Sequence, residues 1–132
     1  MCGKTAVGIL VVDASALGAL IFGEPQAEEM ASRLESGTMV APTLFWFELA
    51  SICLKKIKAH PKQKDEFLQA LGLAGQLTIQ SIEVDQPEVV QLAWQTGLTT
   101  YDASYLWLVQ RLRGELVTLD EELKGRAKDM MS

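Results

Sequence analysis

The apolar run Gly8-Ile9-Leu10-Val11-Val12 ends on a charge, Asp13. A short, β-branched run without alternation predicts a strand buried on both faces. Near the other end, residues 115–119 repeat the pattern. Leu116-Val117-Thr118-Leu119 reads as the fourth strand and again stops on an acid, Asp120. Between them strands and helices alternate. Residues 14–22 read as a helix entered at Asp13 or Ser15, and Pro25 opens a second over 26–35, stopped by Ser36-Gly37. A short strand over 39–41 ends at Pro42. Thr43 stands where it could cap a long helix over 44–58. Pro61 starts a helix reaching Leu73, and 77–82 form the third strand. Asp85-Gln86-Pro87 starts a helix that Gly97 ends. A loop over 99–102 leads into a helix over 103–113, and Asp120 caps a final helix. This alternation predicts a parallel α/β sheet in one domain over 1–132, with 1–7 as a loose tail. In such sheets ligands bind beyond the carboxyl ends of the strands, where Asp13 and Asp120 stand.

Two further acids break apolar segments. Glu48 is the only charge in Leu44-Phe45-Trp46-Phe47-Glu48-Leu49-Ala50-Ser51-Ile52-Cys53-Leu54, and Asp102 heads the apolar stretch 103–109. A buried carboxylate is costly unless it is paired or binds a metal. Brought together, Asp13, Glu48, Asp102 and Asp120 would make a hard-cation site suited to chemistry on phosphates. Taken singly, three have a plainer reading. Asp13 can be a helix N-cap. Asp120, followed by Glu121 and Glu122, suits a first turn facing the helix dipole. Asp102, three residues after Thr99, fits a capping-box start. Glu48 does not fit a cap, because it lies about one turn into its helix, with Leu44 and Ile52 at i−4 and i+4. Its plain alternative is an exposed Glu, yet Trp46 and Phe47 leave little polar face.

Charge narrows the picture. Twelve basic and 17 acidic residues give −5, and without the four candidate ligands the balance is −1. No global basic excess marks a nucleic-acid binder. Locally, Lys55, Lys56 and Lys58 begin a dense basic stretch, either a solvated face or a phosphate-binding one. Trp46, Trp94 and Trp107 read as core or interface rather than base-stacking platforms. The aromatic helix 44–54 hints at burial from two sides, as a homodimer seam or a partner groove would give. Two cysteines and one histidine (His60) supply neither a disulfide framework nor a zinc site, which fits the cytoplasm. Residues 6–23 are nearly all apolar, but Asp13 at their centre would cost about 2.5–3.5 kcal/mol in a membrane, so no membrane role is expected. Nucleotide-binding glycine loops and a G-x-S-x-G elbow are absent.

Four segments, in order, resemble the PIN-domain ribonucleases, most closely the VapC-type toxins of toxin–antitoxin pairs. Val11-Val12-Asp13-Ala14-Ser15-Ala16-Leu17 is similar to the family's opening D-x-S/T motif, and Phe47-Glu48-Leu49-Ala50 to its acidic helix. Leu98-Thr99-Thr100-Tyr101-Asp102-Ala103-Ser104-Tyr105-Leu106 and Leu116-Val117-Thr118-Leu119-Asp120-Glu121-Glu122-Leu123 resemble its third and fourth acidic motifs. The resemblance implies a PIN-like three-layer sandwich, a parallel sheet of four to five strands flanked by helices. It implies a metal-dependent endoribonuclease in which Asp13, Glu48, Asp102 and Asp120 hold Mg²⁺ or Mn²⁺, with Ser15 and Thr118 as polar supports. RNA, a cognate antitoxin and a second copy of the chain would be the partners. The family often has Asn three residues after the helix acid, where this chain has Ser51. Rival readings are a non-catalytic PIN-fold binding module and a phospho-aspartate domain. A haloacid-dehalogenase-like domain needs a second Asp at the position of Ser15. A receiver-like domain wants an acidic pair where Asp13 stands alone.

Overall fold

The computed structural model describes residues 8–131, so the expected tail over 1–7 lies outside it. Four strands, β1 (Gly8–Val12), β2 (Gly37–Pro42), β3 (Gln80–Ile82) and β4 (Glu115–Val117), form a parallel sheet in the order β3-β2-β1-β4. Among the described residues seven α-helices flank it: α1 (Ala14–Ile21), α2 (Ala27–Leu34), α3 (Phe45–Ala59), α4 (Lys64–Ala74), α5 (Gln86–Thr96), α6 (Thr100–Leu112) and α7 (Glu121–Met131). The chain steps outward from β1 to β2 and β3, then returns to the other side of β1 for β4. The order therefore reverses between β1 and β4, and the crevice beyond that point is where such sheets bind ligands.

Burial follows the sequence pattern. Val11, Val12 and Val117 are fully buried, as a central strand covered on both faces requires. α6 packs across β1, β2 and β4 and is buried without interruption from Ala103 to Val109. A helix apolar on all sides belongs inside. The one small polar residue in that buried stretch, Ser104, donates to the Thr100 carbonyl at 2.8 Å. Gly37 sits opposite Gly8 in the β1–β2 register, where a Cβ would stand 2.5 Å from the Gly8 carbonyl oxygen.

Several boundaries differ from the sequence expectation. α6 begins at Thr100, so Asp102 lies within its first turn rather than in the preceding loop. β3 spans only three residues, because this edge strand pairs only with Val40–Pro42 of β2. Thr43 does not cap α3; Leu44 holds that position and makes no side-chain cap bond. Trp107 is buried, but Trp94 is 87% exposed and is no core residue of the chain. α3 buries Phe45, Leu49 and Cys53 on one stripe and leaves Phe47 and Leu54 exposed. Among the described residues no helix is long and apolar enough to cross a membrane.

Candidate active site

The parallel register pairs Val12 with Val117, so β1 and β4 end side by side and deliver Asp13 and Thr118 to the same place. The Asp13 backbone N–H donates to the Val117 carbonyl at 3.0 Å. Asp13 occupies the N-cap position of α1, yet its carboxylate makes no capping bond. Instead Oδ2 accepts hydrogen bonds from Thr118 Oγ1 at 2.6 Å and Ser15 Oγ at 2.7 Å. Two hydroxyl donors on one oxygen offset the desolvation of a carboxylate that is only 8% exposed. The plain capping reading therefore does not describe this side chain.

The same hydroxyls tie in the next segment. Thr118 Oγ1 accepts from the Asp120 N–H and Ser15 Oγ from the Leu119 N–H, both at 3.0 Å. Asp120 does cap α7, through Oδ1 and the Leu123 N–H at 3.0 Å. A carboxylate has two oxygens, so capping leaves one available.

Glu48 projects from the first turn of α3, and its Oε1 accepts the Tyr105 hydroxyl at 2.5 Å. Burial, reinforced by this anion, pushes the Tyr105 phenol far up, so it remains a donor at neutral pH. Tyr105 escaped the sequence reading. Its one signal was the i+3 spacing from Asp102, which puts both on one face of α6. Asp102 is placed by Thr99, whose Oγ1 accepts the Asp102 N–H at 3.1 Å.

Asp13, Glu48, Asp102 and Asp120 all line one open cleft of about 600 Å³, with Ser15, Ser51 and Lys55. Burial raises the Glu48 carboxyl above its ordinary range. Tyr105 opposes that rise, and the charges of Asp13 and Asp102 add to it. Asp102 is likewise raised, first by burial and then by Asp120, Asp13 and Glu122. The three lysines separate. Lys55 lines the cleft, Lys56 is ion-paired with Glu24 in a neighbouring one, and Lys58 is exposed outside both.

The donor set decides which cation would fit. Apart from Lys55, the polar side chains lining the cleft are carboxylates and hydroxyls, which suit a hard, oxygen-seeking ion. Among the described residues no three His, Cys, Asp or Glu side chains close into a tight ligand cluster. Carboxylate and hydroxyl oxygens of this kind would suit an ion such as Mg²⁺, which commonly keeps several waters beside its protein ligands.

Residues 10–129 match the family described as the PIN domain. The chain belongs to the PIN-domain family. It is 32% identical over 120 residues to Ribonuclease VapC3 of Pyrobaculum aerophilum, covering 86% of this chain and 91% of that one. The crystal structure of PAE2754 from the same organism superposes with a TM-score of 0.73 at 28% identity, over 94% of this chain and 87% of that one. The Mycobacterium tuberculosis toxin VapC20, described as cleaving the sarcin-ricin loop, has a TM-score of 0.63 at 13% identity, over 89% and 93% of the two chains. That last likeness is one of fold. Membership of the PIN family sets aside the phospho-aspartate readings.

The raised Asp102 carboxyl has a consequence for stability. A carboxyl raised by folding favours the fold in acid, and that contribution is lost as pH rises through its folded pKa. At neutral pH its charge therefore works against the fold. Asp102→Asn is expected to leave the metal-free melting temperature equal or higher, while Mn²⁺ affinity falls at least about ten-fold. Titration calorimetry with Mn²⁺ reads the second effect, and unchanged affinity would reject a ligand role.

Proposed function

We propose that this PIN domain is a Mg²⁺- or Mn²⁺-dependent endoribonuclease, the toxin of a toxin–antitoxin pair. One observation carries the reading: acids from four separate segments line one cleft, at the point where the strand order reverses. The relative named Ribonuclease VapC3 supports the choice of RNA.

A cation bound there would supply charge to polarise a phosphoryl oxygen and to lower the pKa of a water molecule. The chain's own residues do the rest. Ser15 and Thr118 hold the Asp13 carboxylate in one orientation, and Tyr105 holds Glu48. Asp102 and Asp120 complete the acidic wall, and Lys55 is the cation available to an RNA phosphate. Water attacks the phosphorus in line and the bond to the 3′ oxygen breaks; the water gives up its proton to solvent and the 3′ oxygen takes one up, without a covalent enzyme intermediate. Incubation of single-stranded RNA with the protein and Mg²⁺ should yield 5′-phosphate and 3′-hydroxyl ends. Intact RNA, or 2′,3′-cyclic phosphate ends, would overturn the mechanism.

Among the lysines, Lys55→Ala should weaken RNA binding several-fold and reduce the salt dependence by about one ion. Lys56→Ala should do less, because Glu24 already neutralises Lys56. Filter binding across a salt series measures both. The chain acts in the cytoplasm beside an antitoxin that offers a cation, such as Arg, to the carboxylates. It pairs with a second copy of itself, a homodimer that sedimentation would reveal. The non-catalytic alternative predicts RNA left whole at every metal concentration.

A further inference from the structure

Two of the exposed aromatic side chains stand at the acidic cleft, each next in sequence to one of its acids. Phe47 precedes Glu48 and is 79% exposed; Tyr101 precedes Asp102 and is 62% exposed. Successive helix residues point about 100° apart, so an acid aimed into a cleft puts its neighbour on the rim. Both rings line the cleft wall, although they come from different helices. The other aromatic residues near the site behave differently. Phe45 and Tyr105 are fully buried, and Phe45 packs edge-on against Trp46 with ring centroids 5.0 Å apart.

We infer that Phe47 and Tyr101 are the side chains on which this cleft stacks the bases of unpaired nucleotides; the inference rests on the nuclease reading of the cleft. Even with one divalent cation bound, a wall of four carboxylates keeps a net negative charge toward a phosphate backbone, and the chain has no basic excess to compensate. Among the described residues, Lys55 is the one basic side chain lining the cleft. Affinity must then come largely from contacts that do not depend on phosphate charge, and base–aromatic stacking is such a contact, tolerant of sequence. Bases paired in a duplex already stack on each other and cannot offer their faces to a ring. The two rings therefore select unpaired segments.

The test uses an oligoribonucleotide carrying 2-aminopurine, on an Asp13→Asn background with Mg²⁺ so that cleavage stays slow. Stacking on the rings should alter the fluorescence of the probe. Phe47→Leu and Tyr101→Ala should each weaken single-strand binding by about five- to a hundred-fold, the range seen when a stacking ring is removed. The salt slope should stay unchanged, unlike that of Lys55→Ala. Phe47→Trp should retain binding. Duplex RNA should bind weakly to the parent and be unaffected by the substitutions. Both rings are largely exposed, so the variants should melt as the parent does.

Phe47→Leu keeps apolar bulk but loses the π face, which separates stacking from a protein seam. Parental RNA affinity in Phe47→Leu and Tyr101→Ala overturns the inference. So does parental affinity in Phe47→Ala accompanied by loss of a dimer in sedimentation, which would make the ring a contact between copies. Wild-type protein that binds through the rings but leaves RNA whole rejects the nuclease reading alone. Cleavage with unchanged affinity in the ring variants rejects the stacking alone.

Discussion

Asp13→Asn is expected to lower the RNA cleavage rate by about a hundred-fold or more while leaving a folded protein. Removing one element of preorganised electrostatic stabilisation costs on this order. The side chain is nearly isosteric, so Oδ can still accept from Ser15 and Thr118. What is lost is charge, both toward a cation and in those two hydrogen bonds. Bonds to a charged acceptor contribute about 1.5–3 kcal/mol, against about 0.5–1.5 for neutral ones, so roughly 1–3 kcal/mol of stability is at stake. Relief of repulsion from Glu48 and Asp102 works in the opposite direction, and the net change in melting temperature should be a few degrees at most. A purely structural Asp13 predicts the reverse, with a marked fall in melting temperature and an unchanged rate per folded molecule. Rate and melting temperature measured on one preparation separate the two.

Removing divalent metal should have an equally large effect on activity. EDTA is expected to stop cleavage, and Mg²⁺ or Mn²⁺ in excess to restore it. Metal should also raise the melting temperature, because it binds the folded cleft and offsets the repulsion held there. Metal at about a hundred times its Kd adds about 2.7 kcal/mol. For a chain of this size that is a rise on the order of 10 °C. The direction with pH follows from Glu48 and Asp102. Both carboxyls are held above their ordinary range, so protons compete with metal for them over a pH range above that of an ordinary carboxylate. Cleavage and the thermal shift should both decline as pH falls through that range and recover above it. Scanning calorimetry with and without Mn²⁺ at several pH values checks this, and cleavage that persists in EDTA would show that the metal mechanism is wrong.

The periodicity of the chain was enough for the alternation of strands and helices. Uninterrupted runs such as Gly8–Val12 can be satisfied only in the middle of a covered sheet, and they end abruptly on acids. That physics is local, so it was legible. Glu48 was legible for the same reason: a charge among apolar residues one turn into a helix has no local partner to justify it. The short edge strand Gln80–Ile82 was less so, because its pairing with β2 decides where it begins.

The site divides along the same line. Sequence alone nominated Asp13, Glu48, Asp102 and Asp120, and in each case a specific misfit or position singled the residue out. It could not say which hydroxyls brace Asp13, beyond a family resemblance, because Thr118 reaches it only through the β1–β4 pairing, 105 residues away in sequence. Tyr105 looked like one more apolar residue of a buried helix until the packing of α3 set Glu48 against its hydroxyl. The lysines looked equivalent until Glu24 took Lys56 and the cleft took Lys55. Whether an aromatic is core or rim was equally undecided, since Phe45 and Phe47 differ only in which side of α3 they leave. Apolar patterning specifies which residues must leave water, because that cost is carried by each side chain alone. Which polar groups then meet depends on strand order and helix rotation, which only the assembled fold sets.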